Sequence, residues 1–597
     1  METKLAEPDF DVVIIGSGVA GALAGYRLAQ AKLRVLILEA GGVAPDSLGR
    51  YSMVRSYIGS PSKATDTPFC GDNILATQPD PRRPALGADY YVYPDGYKGY
   101  KFISFYERLV GGSTWHWQGI HVRMLPNDFA MATLYGKGQD WPLNYDDLEP
   151  WYVRAEREMG VAGADEIRSD HRNRKYKIKY PMPALVPSYL DKKVAAAVAY
   201  ASPLDGVPLK VTTVPHAINS QQYDGRPACE GFTSCVPLCP IKARYEAVFH
   251  IEKALAAGAV LRTQSVATRL KLDESGKRVN GVYYKRWQWK DETGKRVPLD
   301  EPERYVTGKI VVLAANGIEN PMLLLRSNAG NSSKMVGRCL MDHPIKQSYA
   351  LANEPLYPFR GPQTTSQFEG FRDGAFRKKF AGFKTSIKND GWSTNITGAP
   401  RGGGVAPQKG DSDWHPGTLL DFVQNWRYSG EKLRNSLADH AVRQITLNSA
   451  CEQLPEKDNS VSLSGKPDDI GVERPAIQYS VDDSQGYVRK SFDKIVEFHA
   501  RVFTAMGIPE NRRKMLHDDP GAPLDFGGSG HIMGTTRMGN NAIDSVIDKN
   551  CRAHDHQNLF VLGSSVFPTS STANPTSTIA ALSLRAAEAI KAQLRNQ

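Results

Sequence analysis

The sequence predicts an α/β protein of two domains, one built around a parallel sheet and the other around a mostly antiparallel sheet. A short apolar run at 12–15 leads through a glycine-rich turn into an Ala- and Leu-rich stretch at 20–30, and a second apolar run ends at Leu38. Apolar runs of this kind are typical of parallel strands that are buried on both faces. Over residues 346–524 alternation replaces them, which favours an antiparallel sheet with helices.

The turn at 16–21 is Gly-Ser-Gly-Val-Ala-Gly, the G-x-G-x-x-G pattern of a dinucleotide-binding turn. Gly16 permits the tight turn, Gly18 lets the backbone approach a pyrophosphate, and Gly21 allows the helix to pack closely on the strand. Glu39 ends the second strand about 20 residues further on, where a carboxylate can accept from both ribose hydroxyls. We therefore predict a Rossmann-like site for FAD or NAD, and the acid at this position argues against a 2′-phosphate.

Composition bounds the class of protein. A chain of 597 residues is too long for one compact core, and 41% hydrophobic and 23% charged residues are ordinary for a globular protein. The net charge is +10, but no basic run with interleaved aromatic residues predicts nucleic-acid binding. The first residues, METKLAEPDF, lack the basic start and apolar core of a signal peptide, and no apolar stretch is long enough to cross a bilayer.

A second glycine-rich segment predicts part of the same cofactor site. Gly111 and Gly112 are followed by Ser113 and Thr114, so that backbone N–H groups can close on a phosphate or a flat ring. The aromatic residues directly after them, including Trp117, suit the wall of a cofactor pocket. The alternative is an aromatic turn packed in the core.

Three of the seven cysteines lie within eleven residues. Cys229, Cys235 and Cys239 have the spacing C-x5-C-x3-C, and Pro240 follows the last one. Clustered thiolates before a proline suit an iron–sulfur cluster, and three local ligands fit a three-iron, four-sulfide cluster better than a four-iron one. Structural zinc usually requires four ligands in paired C-x-x-C spacing, which this segment lacks. Three buried thiols without a metal are the other interpretation.

Further candidate catalytic and cofactor-binding residues lie near the end of the chain. His531 lies among glycines, in a segment that suits close approach by a ligand better than core packing. A strand at 558–562 is followed by Gly563 and Ser564, which we predict to bind the cofactor. Asn574 then precedes Pro575 at the start of a final helix, where the helix dipole favours negative charge.

These motifs resemble the glucose–methanol–choline family of flavoprotein oxidoreductases. The N-terminal fingerprint and the GGST segment carry the resemblance. The run at 125–129, Leu-Pro-Asn-Asp-Phe, and the run at 140–152, Asp-Trp-Pro-Leu-Asn-Tyr-Asp-Asp-Leu-Glu-Pro-Trp-Tyr, resemble its bacterial sugar-dehydrogenase branch. The motifs run from residue 10 to 590, so the resemblance covers nearly the whole chain.

The resemblance implies a domain division and roles for particular residues. It implies an FAD-binding domain at 1–345 and 525–597, with an iron–sulfur segment at 226–244, and a substrate-binding domain at 346–524. His531 and Asn574 are expected to face the flavin N5 across the substrate, and Val266 to back the adenine. A three-iron cluster with the same cysteine spacing is expected at the three cysteines. Many family members carry Asn where this chain has Trp117, so that flavin contact departs from the pattern.

The implied function is FAD-dependent oxidation of a sugar hydroxyl, with glucose at C1 as the first expectation. His531 is expected to act as general base and Asn574 to hold the hydroxyl oxygen, with electrons leaving through a 3Fe-4S cluster to a cytochrome or another external acceptor. Fructose, sorbitol or C3 of a glucoside are alternative donors. An oxygen-using oxidase, a hydroxynitrile lyase and a non-enzymatic electron-transfer subunit are alternative functions.

The resemblance also implies partners. Catalytic subunits of this branch are carried across the membrane folded by a small chaperone-like subunit with a twin-arginine signal, and a cytochrome c subunit accepts their electrons. We therefore expect the protein on the periplasmic side of the bacterial inner membrane, attached only peripherally through those partners. Expressed alone, it is expected in the cytoplasm.

Overall fold

A computed structural model describes residues 8–43, 90–97, 99–164, 179–233, 235–236, 238–289, 296–299, 302–389, 422–423, 426–481, 483, 485–515 and 524–596. In chain order the strands are β1 (Phe10–Ile15), β2 (Val35–Leu38), β3 (Ala162–Gly163), β4 (Met182–Pro183), β5 (Val211–Thr213), β6 (Val260–Arg262), β7 (Ser265–Leu272), β8 (Val279–Trp289), β9 (Arg296–Pro298), β10 (Arg304–Leu313), β11 (Ile345–Leu351), β12 (Ser366–Phe368), β13 (Phe383–Lys388), β14 (Gln444–Cys451), β15 (Ser460–Pro467), β16 (Glu473–Gln478), β17 (Arg513–Met515) and β18 (Leu559–Val561). The α-helices are α1 (Val19–Gln30), α2 (Met131–Tyr135), α3 (Tyr145–Met159), α4 (Tyr189–Val198), α5 (Val248–Ala256), α6 (Glu319–Arg326), α7 (Gly430–Arg443), α8 (Tyr487–Ala505) and α9 (Thr576–Arg595). Over these ranges, no helix combines the length and the apolar character that a membrane span needs.

The first sheet confirms the predicted parallel domain. Strands β6, β2, β1, β10 and β18 lie side by side in that order, and every neighbouring pair is parallel. The middle of β1, at Val12, Val13 and Ile14, is fully buried, as expected for a strand covered on both faces. Helix α1 packs on β1 and β2 and contacts both α5 and α9. The two ends of the chain therefore share one core.

Residues 260–272 form two strands, β6 and β7, with a corner between them. Gln264 lies between them with a φ of +49°, a left-handed conformation that ends the first strand. Its backbone N–H donates to the carbonyl of Gly41 at 2.8 Å, which anchors the corner beside the end of β2. Strand β7 then pairs antiparallel with β8, and β8 with the first half of β10.

The second sheet confirms the predicted antiparallel layer. Its order is β17-β11-β14-β13-β12-β5, and every pairing is antiparallel. Buried and half-buried residues alternate strictly along β14. Helix α8 packs on one face of the sheet, where its His499 lies between the hydroxyls of Ser449 and Ser348 at 2.8 and 2.9 Å. Strand β5 comes from the part of the chain that precedes residue 346.

Candidate active site

The turn between β1 and α1 has the geometry of a dinucleotide-binding turn. Gly16 has a φ of +104°, and a Cβ on Gly21 would lie 2.0 Å from the Gly16 carbonyl oxygen, so neither position accepts a side chain. The buried carboxylate of Glu39 accepts from the backbone N–H of Ser17 at 3.0 Å and from that of Gly41 at 2.8 Å. The acid at the end of β2 is therefore held against the turn, where sequence analysis placed it.

The second glycine segment packs against this turn. The Gly111 N–H donates to the Ser17 hydroxyl at 3.2 Å, and a Cβ on Gly112 would lie 3.2 Å from the Cα of Gly18. The Thr114 hydroxyl accepts from the Ala247 N–H at 2.9 Å. The structure thus brings together two glycine motifs that are about 95 residues apart in the sequence.

The remaining predicted cofactor residues lie around the same place. Ser113 is exposed, and its hydroxyl accepts from the Glu107 N–H at 3.2 Å. The indole N–H of Trp117 donates to the Tyr245 carbonyl at 2.8 Å. Val266 is buried in an apolar cluster with Trp287, next to the end of β2. The Ser564 hydroxyl donates to the Ile532 carbonyl at 2.5 Å and so fixes the segment that carries His531.

The residues present fit a dinucleotide. A Cβ added at Gly18 or Gly563 would meet no atom within 4 Å, so both glycines border open space. Helix α1 begins at that space with no side-chain cap and no acid in its first turn, which leaves its N–H groups and its dipole for an anion. Glu39 and Val266 lie where a ribose and an adenine would follow.

The two predicted catalytic residues are in contact. Asn574 Nδ2 lies 3.2 Å from His531 Nε2, although the two residues are separated by a strand, a turn and several loops. His531 Nδ1 in turn lies 2.7 Å from Nδ1 of a second histidine, His343. The other ring nitrogen of His343 lies 2.8 Å from the Ser571 carbonyl oxygen. His343 directly precedes the Pro344 that leads into β11, and sequence analysis missed it.

This row of hydrogen bonds fixes the tautomer of His531. The Ser571 carbonyl can only accept, so His343 Nε2 carries a proton. Burial lowers the pKa of His343 to about 4, so the ring is neutral and its Nδ1 must accept from His531 Nδ1–H. Burial also holds the pKa of His531 well below its usual value. Its Nε2 is therefore an unprotonated nitrogen that points at the Asn574 amide.

The backbone that carries His531 is held by one buried carboxylate. Asp342 accepts from the backbone N–H groups of His531 at 2.9 Å, Ser529 at 3.1 Å and His343 at 2.7 Å. The Ser104 hydroxyl donates to the same carboxylate. Burial raises the pKa of Asp342 in spite of these donors. Asp342 thus orients both histidines through their main chains.

The Asn574 amide has a further partner. The side chain of Lys384, on β13, donates to Asn574 Oδ1 from a position that is 3% exposed. The sequence carried no signal for this lysine, because lysines are frequent in this chain and nothing in the short strand β13 marks Lys384 as a site residue. His343 was detectable in principle as a histidine next to an aspartate and a proline before a strand, but one such tripeptide is weak evidence.

The three clustered cysteines converge. Cys235 and Cys239 are buried in one apolar cluster, and Cys229 packs against it. All three are free thiols, and burial raises the pKa of Cys235 to about 11. Within the ranges that the structure describes, no three His, Cys, Asp or Glu side chains are arranged to hold a metal ion.

A buried arginine ties this cysteine segment to the aromatic turn after the second glycine motif. Arg244 is fully buried and donates to the carbonyls of Trp115 at 2.6 Å and Trp117 at 2.5 Å. The same guanidinium donates to the Cys235 carbonyl and pairs with Glu246 at 3.2 Å. Arg244 therefore bonds both the cysteine segment and the aromatic turn at 115–117, which we call the flavin wall.

Comparison with known proteins identifies the family. Models described as GMC oxidoreductase match residues 205–345 and 455–583, and one described as FAD dependent oxidoreductase matches residues 11–132. The chain is 32% identical to the fructose dehydrogenase large subunit of Gluconobacter japonicus, over 98% of each chain. The chain belongs to the GMC oxidoreductase family. It is 28% identical to a 2-methyl-1,2-propanediol dehydrogenase of Mycolicibacterium austroafricanum, over 97% of this chain and 95% of the other.

The solved structures agree on the fold. Pyridoxine 4-oxidase from Mesorbium loti superposes with a TM-score of 0.56 at 20% identity, over 97% of this chain and 99% of that one. At this level of identity the likeness concerns the fold alone.

The cofactor follows from the family models. The GMC assignment and the FAD-dependent match confirm FAD, rather than NAD, as the cofactor. The GMC family acts on alcohol and sugar donors.

Two glycine variants test the glycine turn at 16–21 as the FAD-binding site, which we call the FAD cradle. We expect Gly18→Ala to fold and to lose FAD, because its Cβ meets no protein atom but enters the space beside the turn. Gly21→Ala should lose both FAD and thermal stability, because its Cβ would collide with the Gly16 carbonyl. Flavin content and apoprotein melting temperature separate the two. Normal FAD affinity in Gly18→Ala would show that the cofactor lies elsewhere.

Proposed function

We propose that this protein is an FAD-dependent sugar dehydrogenase that oxidises a sugar hydroxyl. The observation that carries the proposal is the contact between His531 Nε2 and Asn574 Nδ2, which sets a base nitrogen and an amide donor 3.2 Å apart. A hydroxyl oxygen that reaches this nitrogen also reaches the amide. Bound FAD would supply the acceptor for a hydride from the carbon that bears this hydroxyl.

His531 takes the hydroxyl proton in this proposal. Its Nε2 is unprotonated because His343 accepts the proton on Nδ1, and burial keeps the ring neutral at working pH. When Nε2 gains the substrate proton, the positive charge is shared along the hydrogen bond to His343 and the Ser571 carbonyl. Protonation of Nε2 ends its hydrogen bond from Asn574 Nδ2, and that amide can then donate to the substrate oxygen.

Asn574 stabilises the oxygen that loses the proton. Its Nδ2 donates into a buried site, where a fixed donor stabilises developing negative charge more strongly than water does. Helix α9 begins at Thr576, so its N-terminus adds a favourable dipole at the same place. In this proposal His531 removes the proton, and Asn574 stabilises the oxygen that loses it.

Several sugars and polyols are candidate donors for this site. Glucose at C1 is the first donor to test, and fructose is the leading alternative, because the chain is similar to a fructose dehydrogenase large subunit over almost its full length. The similarity to a diol dehydrogenase favours a polyol such as sorbitol as a further alternative. A panel of these sugars and polyols with an artificial acceptor, run in parallel with oxygen uptake, separates a dehydrogenase from an oxidase.

Replacement of the base tests the catalytic assignment. We expect His531→Ala to lower turnover about 10²-fold or more, since a positioned general base contributes on that order. FAD should stay bound, because the cradle is formed by other residues. His554→Ala is the control, since the Nε2 of that ring lies 2.9 Å from the Ser545 hydroxyl oxygen in a separate turn. Near-normal turnover in His531→Ala would mean that another residue takes the proton.

We further propose that Cys229, Cys235 and Cys239 hold a three-iron, four-sulfide cluster. Their spacing, their convergence in one apolar cluster and the Arg244 link to the flavin wall support it. Such a cluster would supply one-electron transfer between the flavin and an external acceptor. Cys229 is only partly buried, so the thiolate that it would contribute lies near the surface.

A serine substitution tests the cluster. We expect Cys235→Ser to lose iron and the electron paramagnetic resonance signal of the oxidised cluster. FAD should stay bound, and the reduction of a small dye directly by the flavin should persist. Transfer to a cytochrome should fail. Cys451→Ser is the matched control, because Cys451 is a buried thiol of the second sheet. Unchanged iron in Cys235→Ser contradicts the assignment.

We propose in addition that the protein acts with two partners. One is a small chaperone-like subunit with a twin-arginine signal, and the other is a cytochrome c subunit that accepts electrons. The similar fructose dehydrogenase chain is called a large subunit, which supports a multi-subunit enzyme. A folded export route suits a protein that receives its cofactors before transport. The proposed location is the periplasmic side of the inner membrane.

Co-expression tests the location. We expect the chain alone to stay in the cytoplasm and activity to move to the periplasmic fraction when the small subunit is supplied. Replacing the twin arginines of that subunit by lysines should return the activity to the cytoplasm. Activity that stays cytoplasmic with every candidate partner present would contradict the export proposal and leave the catalytic one intact.

A further inference from the structure

Lys384 is a buried lysine in direct contact with the catalytic pair. It lies on β13 in the middle of the second sheet, and its ammonium donates to Asn574 Oδ1 across the boundary between that sheet and the start of α9. Only 3% of the residue is exposed. A buried lysine is costly unless its charge has a use or a partner. Here the hydrogen-bond partner is the neutral amide of Asn574.

The lysine completes a row of hydrogen bonds whose direction is fixed at both ends. An ammonium group can only donate, and the Ser571 carbonyl can only accept. The donors therefore run in one direction, from Lys384 to Asn574, then to His531, then to His343 and finally to the carbonyl. If the Asn574 amide turned over, its Oδ1 would face the unprotonated Nε2 of His531, and both contacts would be repulsive.

The charges around Lys384 make its ammonium form marginal. Burial, and next to it the nearby Arg372, lower its pKa to about 7, and Glu369 opposes them. The Glu369 carboxylate is shared with Arg372 at 3.3 Å and with Gln367. The histidines that feel its charge are His216, His343 and His531, and burial keeps all three neutral. The ammonium is therefore present below about pH 7 and lost above it.

We propose that Lys384 is a positioning residue for the oxidation, which holds the Asn574 amide with Nδ2 toward the base nitrogen and strengthens that donor as the substrate oxygen becomes negative. The inference deepens the proposed function and rests on it. A charge-assisted bond to Oδ1 polarises the amide and makes its N–H a better donor. The gain appears only when the oxygen carries charge, so it should raise the rate of the chemical step more than the affinity for sugar.

The test is the anaerobic rate of flavin reduction by sugar in stopped flow, measured from pH 5.5 to 9. We expect Lys384→Met to slow reduction about 10²-fold, as for the loss of one donor to a developing oxyanion, with the sugar dissociation constant changed less than about threefold. The wild type should slow as the pH rises through about 7, when the ammonium is lost. That decline should be absent in Lys384→Met and shifted to higher pH in Lys384→Arg. Lys384→Gln serves if the Met variant does not fold.

Two further variants separate positioning from a structural role. Lys346→Met is the matched control, because Lys346 is equally buried on β11 of the same sheet, but its ammonium donates to the Asp525 carbonyl. This variant should keep the wild-type pH profile. In an Asn574→Ala background, Lys384→Met should cost little more, because the lysine acts through the amide.

Each outcome decides a separate point. An unchanged rate and pH profile in Lys384→Met, or losses that simply add in the double variant, would overturn the role of Lys384 while sugar still reduces the wild-type flavin. A wild-type flavin that no sugar or polyol reduces would overturn the proposed function, and the inference with it, before any variant is compared.

Discussion

The parallel pairing of β1, β10 and β18 is the constraint on which the rest of the structure depends. These strands come from the beginning, the middle and the end of the chain, and their registers place Ile15, Leu313 and Val561 side by side. The carboxyl ends of parallel strands meet at one edge of a sheet, which is where α/β folds bind ligands. The glycine turn follows β1 and Gly563 follows β18, so the pairing brings the FAD cradle and the catalytic segment to one edge.

Asn320 shows how tightly that edge is fixed. Its Oδ1 accepts from the Ala315 N–H at 3.0 Å, and its Nδ2 donates to the Leu562 carbonyl at 2.9 Å and the Ser565 hydroxyl at 3.0 Å. One buried amide thus joins the ends of β10 and β18. Because the Ser564 hydroxyl then holds Ile532, the position of His531 follows from the sheet and not from a mobile loop.

Sequence reasoning predicted the parts of this protein that have local signals. The G-x-G-x-x-G turn, Glu39 and the apolar strands each follow from a pattern within about 30 residues, and all lie in the structure as predicted. The corner at Gln264 has no local signal, because polar residues are frequent between Val260 and Leu272 and none of them indicates a left-handed conformation. The corner exists because its N–H meets the Gly41 carbonyl, a contact between distant segments.

The catalytic network shows the same limit more sharply. His531 and Asn574 were predicted from glycine-rich and helix-start contexts together with a family resemblance. His343 lies in the loop before β11 and Lys384 on β13, and neither has such a context. Their importance lies in the direction of hydrogen bonds between four separate segments, which no spacing in the sequence encodes. A neutral histidine and a buried ammonium are both properties of an assembled low-dielectric site.

Arg244 extends this argument to the cysteine segment. Its guanidinium lies between the Trp115 and Trp117 carbonyls on one side and the Cys235 carbonyl on the other, with Glu246 as its counter-charge. Removing a buried cation of this kind would take a donor from several carbonyls and the counter-charge from a buried carboxylate, a cost that keeps the two segments at a constant separation. In the proposed function, electron transfer would depend on such a separation, whereas proton transfer at His531 would depend on the direction of hydrogen bonds. On that proposal the fold meets two different demands with two buried cations, Arg244 fixing a distance and Lys384 fixing an orientation.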